Sequence, residues 1–297
     1  MDNAVEPVRW AAVIVNYESG PLLLECVRSL LADTSAGPAE VMVVDNGSSD
    51  GSLDGLRERF PEARVMQSPG NVGYARAANL GIAATRAPFI AVLNPDVTVA
   101  PGTAGAVVAR LERDARLGAI GPRIANVDGT DYPSARRLPS VPLAVGHSVL
   151  GLVWPTNPFT TRYRQLDADP ERSREVDWVS GAAVWLRRAA LDAVGAWDER
   201  YFMYMEDMDL CWRLRGAGWG IVYEPAGRVV HVQGAVTSRH PYRMTLAHHR
   251  SAWQFCRRRF TGFRAVLLPF AGIFLAFRAV MAMGEHAWRA SGAPAPR

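Results

Sequence analysis

The tightest constraint on the fold is a rhythm in the first half of the chain. Short apolar runs at 11–17, 40–46, 64–67, 89–94 and 117–124 alternate with stretches of helical spacing. In 21–32, for example, Leu22, Leu23, Cys26 and Leu30 recur on a helical repeat, and 52–60, 74–85 and 103–113 behave likewise. Runs of that length, unbroken by polar residues, suit strands buried on both faces. Strand and helix in alternation predict an α/β fold with a mostly parallel, doubly wound sheet and helices on both faces.

The rhythm fails between 128 and 175. Pro133, Pro139, Pro142, Pro155 and Pro158 crowd this stretch and no clear period survives. A structureless segment of that length inside a compact domain is usually functional, so it is expected to be a loop region. Order returns at 176–186, followed by a helix around 188–194 and short strands at 221–223 and 229–232. A helix is then expected over 241–259.

Charge narrows the chemistry. The chain has 297 residues and no lysine: all 33 basic side chains are arginine. That excludes a Walker loop and a Schiff-base lysine. From Arg228 onward there are 11 arginines against one acid, Glu285, a formal +10 on a body of formal −6. The basic segment suits an anionic membrane surface, with Arg257, Arg264, Arg278 and Arg289 on one face of an idealised helix. Its uncharged core, 265–277, is too short for a spanning helix and is interrupted by Pro269 and Gly272. Nucleic acid is not expected, because no basic–aromatic motif accompanies the charge. Cys26, Cys211 and Cys256 show no metal spacing and are expected to be free thiols of a reducing compartment. The acidic N-terminus lacks the apolar core of a secretion signal. Pattern and charge divide the chain at about 126, 235 and 290, into 8–126, 127–235, a basic helical segment (236–290) and a tail (291–297) expected to be disordered.

In a doubly wound sheet, ligands bind at the C-terminal ends of the strands. Here the first strand ends Asn16-Tyr17-Glu18, the second Asp45-Asn46-Gly47-Ser48-Ser49-Asp50-Gly51 and the fourth Asn94-Pro95-Asp96. Each alone reads as a turn; three on one sheet edge point to a site. A carboxylate such as Asp45 can accept the N3–H of a uracil or thymine. Asp96 suits a divalent cation that binds a diphosphate. Asn71-Val72-Gly73, with Asn79 further along the helix, offers a helix start for ribose or phosphate. A lone His231 at a strand end is more often core than ligand, and becomes a metal candidate only if that strand ends beside Asp96. Finally, Phe202-Met203-Tyr204-Met205-Glu206-Asp207-Met208-Asp209 puts three carboxylates at a helix start. The dipole there favours ionised acids whether they are catalytic or only an acidic first turn. Asp209 is expected to pair with Arg213 at i+4, and Trp212 to help wall a sugar site.

In this order, the motifs Asn16-Tyr17, Asp45 with its Gly/Ser run, Asn71-x-Gly73 with Asn79, Asn94-Pro95-Asp96 and Glu206-Asp207 resemble the family 2 inverting glycosyltransferases of GT-A fold. The resemblance covers about residues 10–232 and implies one glycosyltransferase domain, 8–235, with a nucleotide-binding half (8–126) and an acceptor-binding half (127–235). It implies that Asp45 binds the pyrimidine base, that Asp96 and His231 hold Mg2+ or Mn2+, and that Asp207 is the base with Glu206 as companion. Asn94 stands where the family's Asp-x-Asp motif has its first acid, leaving one charged ligand. Tyr132-Pro133-Ser134-Ala135-Arg136-Arg137, the stretch from Trp154 to Gln165 and Trp178-Val179-Ser180-Gly181 resemble the actinobacterial cell-wall linker rhamnosyltransferases within that family. This implies dTDP-L-rhamnose as donor, an N-acetylglucosaminyl-diphospho-decaprenol acceptor, and a peripheral place on the inner face of the plasma membrane. Arg136, Arg137, Arg162, Arg164, Trp178 and Gly181 are then acceptor-site candidates. Another rhamnosyl- or hexosyltransferase remains an alternative. A sugar-phosphate nucleotidyltransferase would want a Gly-rich loop and a lysine that this chain lacks, and a non-catalytic binding module would not need the acids.

Overall fold

The computed structural model describes residues 8–151, 153–234 and 240–290. The first half runs β1 (Trp10–Asn16), α1 (Leu22–Ala32), β2 (Glu40–Asp45), α2 (Leu56–Arg59), β3 (Arg64–Gln67), α3 (Tyr74–Ala83), β4 (Phe89–Leu93), β5 (Val97–Val99), α4 (Thr103–Arg113) and β6 (Leu117–Ala125). The middle holds β7 (Asp131–Tyr132), β8 (Ala135–Arg136), α5 (Val141–Leu150), α6 (Pro158–Arg164), β9 (Arg174–Glu175) and β10 (Trp178–Val179). Then come β11 (Ala183–Arg187), α7 (Arg188–Val194), α8 (Glu206–Gly216), β12 (Gly220–His231), α9 (Pro241–Arg259), a 3-10 turn (Gly262–Leu267) and α10 (Leu268–Ala290).

The central sheet has the order β3-β2-β1-β4-β11-β6-β12-β5. Strands β3, β2, β1 and β4 are parallel, as are β6 and β12, whereas β11 runs antiparallel to both β4 and β6. The sheet is therefore mixed, and the reversal has a consequence for the site. Parallel strands deliver their ends to the ligand edge, but β11 delivers its beginning. Ala182 accepts the Asn94 N–H at 2.9 Å, so Ser180 and Gly181 arrive beside the Asn94-Pro95-Asp96 turn. Both faces are covered, as the unbroken apolar strands require. Val13, Val15, Met42 and Val44 face a core shared with α3 and α8; Trp10, Ala12, Ile14 and Val43 face one shared with α1 and α4. Helix α3 lies so close to the sheet that a Cβ on Gly81 would come within 2.3 Å of Val13.

Several local expectations are corrected. The stretch 128–175 is not a bare loop, because it contains α5 and α6. Two of its prolines start helices rather than break them: Pro142 and Pro158 sit in first turns, behind the caps Ser140 and Asn157, whose side chains accept the Leu143 and Thr160 N–H groups. Helix α5 is apolar nearly all round, so it shows no period. Only one turn forms in 52–60. The two late strands are one, β12, with a register shift between Glu224 and Arg228.

The C-terminal segment is not one helix, so Arg257, Arg264 and Arg278 lie on three elements rather than one face; the side chain of Arg289 and the tail 291–297 are outside the described residues. Pro269 falls in the first turn of α10, where its missing N–H is harmless, and a Cβ added at Gly272 would meet the Trp253 ring at 3.4 Å. Neither interrupts the helix. Gly262–Trp288 is long and apolar enough to cross a membrane by length and composition, and 6% of its apolar window is buried in the protein. Phe263, Val266, Phe270, Ile273, Phe277 and Val280, spaced three and four apart, are 60–86% exposed.

Candidate active site

The ends of β1, β2 and β4 open into a cleft of about 800 Å³. Asn16 knits the first two strand ends together. Its Nδ2 donates to Asp45 Oδ1 at 2.9 Å and reaches the Ser52 and Ser48 hydroxyls at 2.9 and 3.1 Å, while its Oδ1 accepts from Ser19. Asn46 does the same for the next loop: it donates to Asn71 at 3.1 Å and accepts the Val72 N–H at 3.0 Å. Gly73 has φ +88, and a Cβ there would lie 2.7 Å from the Phe202 carbonyl oxygen, which itself accepts the Tyr74 N–H at 2.8 Å. Only glycine permits this approach. The turn 71–73 is thereby latched to the carboxylate-bearing loop.

Tyr17, Asn46, Asn71, Gly73, Asn94, Pro95, Asp96 and His231 line the cleft. Asp45 does not; it is buried and already accepts from Asn16 and the Ser48 N–H. Two further candidates are corrected. Glu18 is engaged by the Ser49 N–H and hydroxyl at 2.8 and 2.9 Å, closing the β2 loop. Asn79 faces away from the cleft: it donates to the Trp197 carbonyl at 2.9 Å and accepts the Trp197 N–H at 3.1 Å.

Strand β12 does end beside Asp96. Pairing of β5 with β12 sets Val97 opposite His231, and His231 Nε2 lies 3.1 Å from Asp96 Oδ1. This contact lacks hydrogen-bond geometry: Asp96 Oδ1 and His231 Nδ1 are both buried without a hydrogen-bond partner. Unsatisfied buried groups of this kind call for an explanation. For Asp96 Oδ1 a hard divalent cation shared with His231 Nε2 supplies one, since two neighbouring ligands of an octahedral ion with bonds of about 2.1 Å stand about 3 Å apart; His231 Nδ1, the other ring nitrogen, is not reached by it. The Asn94 amide stands 3.4 Å from His231 Nε2 and, turned about its last torsion, would present its oxygen to the same ion. The described residues contain no cluster of three or more His, Cys, Asp or Glu, so such an ion would take its remaining ligands from substrate and water.

The carboxylates stand at the start of α8, behind two successive left-handed residues, Tyr204 (φ 68) and Met205 (φ 67). Strain of this kind persists only where surroundings enforce it. Helix α9 enforces it here: Ser251 Oγ donates to the Met203 carbonyl at 2.8 Å, and His248 meets the Tyr204 ring edge-on at 5.5 Å. Asp207 Oδ2 accepts the Gly181 N–H at 2.9 Å and Oδ1 the Met208 N–H at 2.8 Å. A Cβ on Gly181 would come within 3.1 Å of Asp207 Cβ. Tyr74, at the cleft wall, donates its hydroxyl to the Gly181 carbonyl at 3.0 Å, so one residue ties the cleft to the carboxylate. Glu206 is buried with Oε2 unpaired.

Burial outweighs the helix dipole that suggested ionised acids. It raises both carboxyls above their ordinary range, Glu206 further through the charge of Asp207; the Gly181 and Met208 N–H groups and Arg136 pull Asp207 back down. Asp209 is different. It is fully buried, pairs with Arg213 at 2.7 Å and takes Arg258 at 3.4 Å, and it serves packing.

Residues 11–195 match glycosyl transferase family 2. The chain belongs to that family. This glycosyltransferase is also 42% identical over 261 residues to the N-acetylglucosaminyl-diphospho-decaprenol L-rhamnosyltransferase of Mycobacterium tuberculosis, a match covering 84% of each chain. A 56-residue stretch, 19% of this chain and 21% of the other, is 43% identical to a rhamnosyltransferase of Escherichia coli. In fold the glycosyltransferase is similar to a mannosyltransferase from Pyrobaculum calidifontis solved with GDP-Man and Mn2+: TM-score 0.59, 17% identity, 96% of this chain and 76% of that one. It is likewise similar to GalNAc-T7 solved with UDP, GalNAc and Mn2+: TM-score 0.56, 16% identity, 76% of this chain and 44% of that one.

Around Asp207 the acceptor candidates separate. Arg136 lies over the Trp178 ring at 4.8 Å, and its charge is felt at Asp207. Gly181 touches the carboxylate and Arg164 follows Tyr163, whose ring is 6.3 Å from Trp178. Arg137 and Arg162 are exposed and make no side-chain hydrogen bond or ion pair among the described residues. Trp212 packs edge-on against Phe255 at 6.1 Å, joining α8 to α9, and is not among the residues that line the cleft. Two residues escaped the sequence reading altogether. Arg243 and Arg250 of α9 line the cleft that holds Asp96 and His231. The signal was the seven-residue spacing of two arginines, which puts both on one helix face, but the segment's net charge drew attention to lipid instead.

Proposed function

We propose that this glycosyltransferase transfers L-rhamnose from dTDP-L-rhamnose to the 3-hydroxyl of an N-acetylglucosaminyl-diphospho-prenol, with inversion. The reading is supported by likeness to the mycobacterial rhamnosyltransferase along 84% of both chains. The observation that carries the mechanism is the fixed position of Asp207, pinned by two backbone N–H groups beside Arg136 and Trp178.

The donor lies along the ends of β1, β2 and β4, with the base toward Tyr17 and the β2 end, which Asp45 braces through Asn16, and the diphosphate toward Asp96 and His231. A bound Mg2+ or Mn2+ at Asp96, His231 and Asn94 would neutralise the departing diphosphate. Arg243 and Arg250 face the same region and add the positive charge that a single carboxylate ligand leaves unsupplied. On the other side, Asp207 accepts the acceptor's 3-hydroxyl proton as that oxygen attacks the anomeric carbon opposite the diphosphate. The carbon–oxygen bond to the diphosphate breaks as the new glycosidic bond forms, through a transition state of oxocarbenium character. A β-linked donor thus becomes an α-L-rhamnoside. Burial makes Asp207 a better base than a surface carboxylate, and the raised Glu206 keeps the pair from carrying two charges at neutral pH. The work is placed at the inner face of the plasma membrane, with the exposed apolar stripe of α10 on the lipid.

Mass analysis of the product from dTDP-L-rhamnose and a short-chain prenyl-diphospho-N-acetylglucosamine tests the reaction; one added deoxyhexose is expected. Asp207→Asn is expected to fold and bind donor but transfer about 10²–10⁴-fold more slowly. Transfer from another nucleotide sugar in place of rhamnose would shift the assignment to another hexosyltransferase. An Asp207→Asn variant as fast as wild type would remove the base.

A further inference from the structure

A second cavity, of about 520 Å³, lies against α9 and is lined by Arg200, Arg250, Gln254, Arg257 and Arg258, with no acid among them. Arg200, Arg250 and Gln254 also line the donor cleft, so the two cavities adjoin at these side chains; Arg257 and Arg258 line the second alone. Arginines at 243, 250 and 257 recur every seven residues, on one face of α9, each about 10 Å further along its axis. Arg243 lines the cleft, Arg250 both cavities and Arg257 the second, so the row leads out of the region of Asp96 and His231 into the arginine-lined space. Two of the four guanidinium groups there are braced. Asp198 pairs with Arg200 at 2.6 Å and also with Arg258, whose Nε lies 3.4 Å from Asp209 in the first turn of α8. Asp209 is itself committed to Arg213. Arg257 is exposed and makes no side-chain hydrogen bond or ion pair among the described residues.

A concave surface of one sign focuses its field on an anion. Planar guanidinium groups take phosphate oxygens two at a time, and without lysine this chain has only arginine to do so. Four such groups around one space suit a head with more than one charge. What borders the cavity indicates what carries that head. Through Arg200, Arg250 and Gln254 it meets the donor cleft, where an acceptor sugar has to lie. Beyond Arg257 and Arg258, which close the C-terminal end of α9, the chain passes into the exposed Phe263, Val266 and Phe270. Helix α10 then packs back along α9, with Trp253 against Gly272 and Thr245 Oγ1 3.1 Å from His286 Nε2, so the apolar stripe begins at the cavity's end of α9. A multiply charged seat between a sugar site and a greasy edge fits an amphiphile with a diphosphate head.

We infer that this arginine-lined cavity seats the diphosphate of a prenyl-diphosphate-linked acceptor. Arg257 supplies the free guanidinium, Arg200 and Arg258 arrive preorganised by Asp198, and Arg250 stands between this diphosphate and the donor's. The prenyl chain leaves toward Phe263 and Phe270. The inference rests on the reading of the chain as a transferase for a lipid-linked sugar, and it adds the place of the head group. Anionic phospholipid offers related chemistry on a singly charged head, and the test separates the two.

The full-length protein, saturated with dTDP and Mg2+ so that the donor seat is filled, is titrated with farnesyl diphosphate, farnesol, inorganic pyrophosphate and phosphatidylglycerol vesicles. Farnesyl diphosphate should bind more tightly than farnesol or pyrophosphate. Arg257→Gln should weaken farnesyl diphosphate and pyrophosphate about tenfold, the loss of one charge-assisted contact, with farnesol binding, dTDP affinity and melting temperature unchanged. Arg257→Lys should keep part of the affinity, and Arg257→Glu should lose more than Arg257→Gln. Equal binding of farnesyl diphosphate by wild type, Arg257→Gln and Arg257→Glu overturns the inference. So does a loss confined to phosphatidylglycerol vesicles, which would give the cavity to membrane lipid, or one shared equally by dTDP, which would make it part of the donor seat. Because no transfer is measured, a failure of rhamnose transfer alongside intact discrimination would sink the proposed reaction and leave the diphosphate seat standing.

Discussion

At the scale of single residues, this site works through close approach. Asp207 is positioned by what Gly181 lacks. Gly181→Ala introduces a Cβ 3.1 Å from Asp207 Cβ, displacing the carboxylate by a few tenths of an ångström. Steady-state kinetics should show kcat lowered about tenfold, with donor KM near wild type, because misplacement of a base costs rate before binding. The Glu206–Asp207 pair makes a second prediction. Burial raises both carboxyls in the folded protein. The folded state therefore holds protons that the unfolded chain releases, and stability falls as pH rises from the ordinary carboxylate range through the raised values. Glu206→Gln removes up to one proton from that difference. Denaturant melts across pH 4–9 should show a flatter slope, by at most about 1.4 kcal/mol per pH unit. A wild-type slope in the variant would mean that Glu206 is ionised throughout. Motif order alone singles out Asp207, Asp96 and His231 at this scale, and the fold sets the last two 3.1 Å apart in the cleft. The places of Asn79, Glu18 and Trp212 were not legible, because their side chains are spent on Trp197, Ser49 and Phe255, partners 118, 31 and 43 positions away.

At the scale of elements, α9 is the piece that joins functions. It clamps the strained loop through Ser251 and lines the donor cleft through Arg243 and Arg250. Arg243→Gln and Arg250→Gln should each raise the KM for the nucleotide sugar about tenfold while leaving acceptor KM close to wild type. An effect on acceptor alone would move α9 to the other substrate. The alternation of strand and helix was readable in the first half because buried parallel strands must be apolar throughout. The antiparallel β11 was not readable. Direction leaves no trace in a five-residue run such as Ala183–Arg187. Helices α5 and α6 were hidden for a related reason: prolines at helix starts and breakers in loops are the same residue, and only the capping bonds of Ser140 and Asn157 tell them apart.

At the scale of the whole molecule, the chemistry sits between two surfaces, the nucleotide edge of the sheet and the apolar stripe from Phe263 to Val280. Phe270→Ser, Ile273→Ser and Phe277→Ser together should cut co-sedimentation with phosphatidylglycerol vesicles at least tenfold while leaving dTDP binding intact, since each exposed side chain contributes roughly 1.5–3 kcal/mol on burial in lipid. Unchanged sedimentation, with a shift from dimer to monomer in solution, would assign the stripe to a second copy instead. From sequence alone followed the α/β class, the ordered motifs at the strand ends, the absence of lysine chemistry and the concentration of arginine near the C-terminus. These are properties of local pattern and composition, and they survive without a partner. The tertiary structure alone decided which polar side chains were already satisfied, that β12 ends within 3.1 Å of Asp96, and that Arg243 and Arg250 line the cleft that holds Asp96 and His231. Those facts depend on residues from tens to more than a hundred positions apart becoming neighbours, and neighbourhood is what sets desolvation, charge coupling and free hydrogen-bonding capacity.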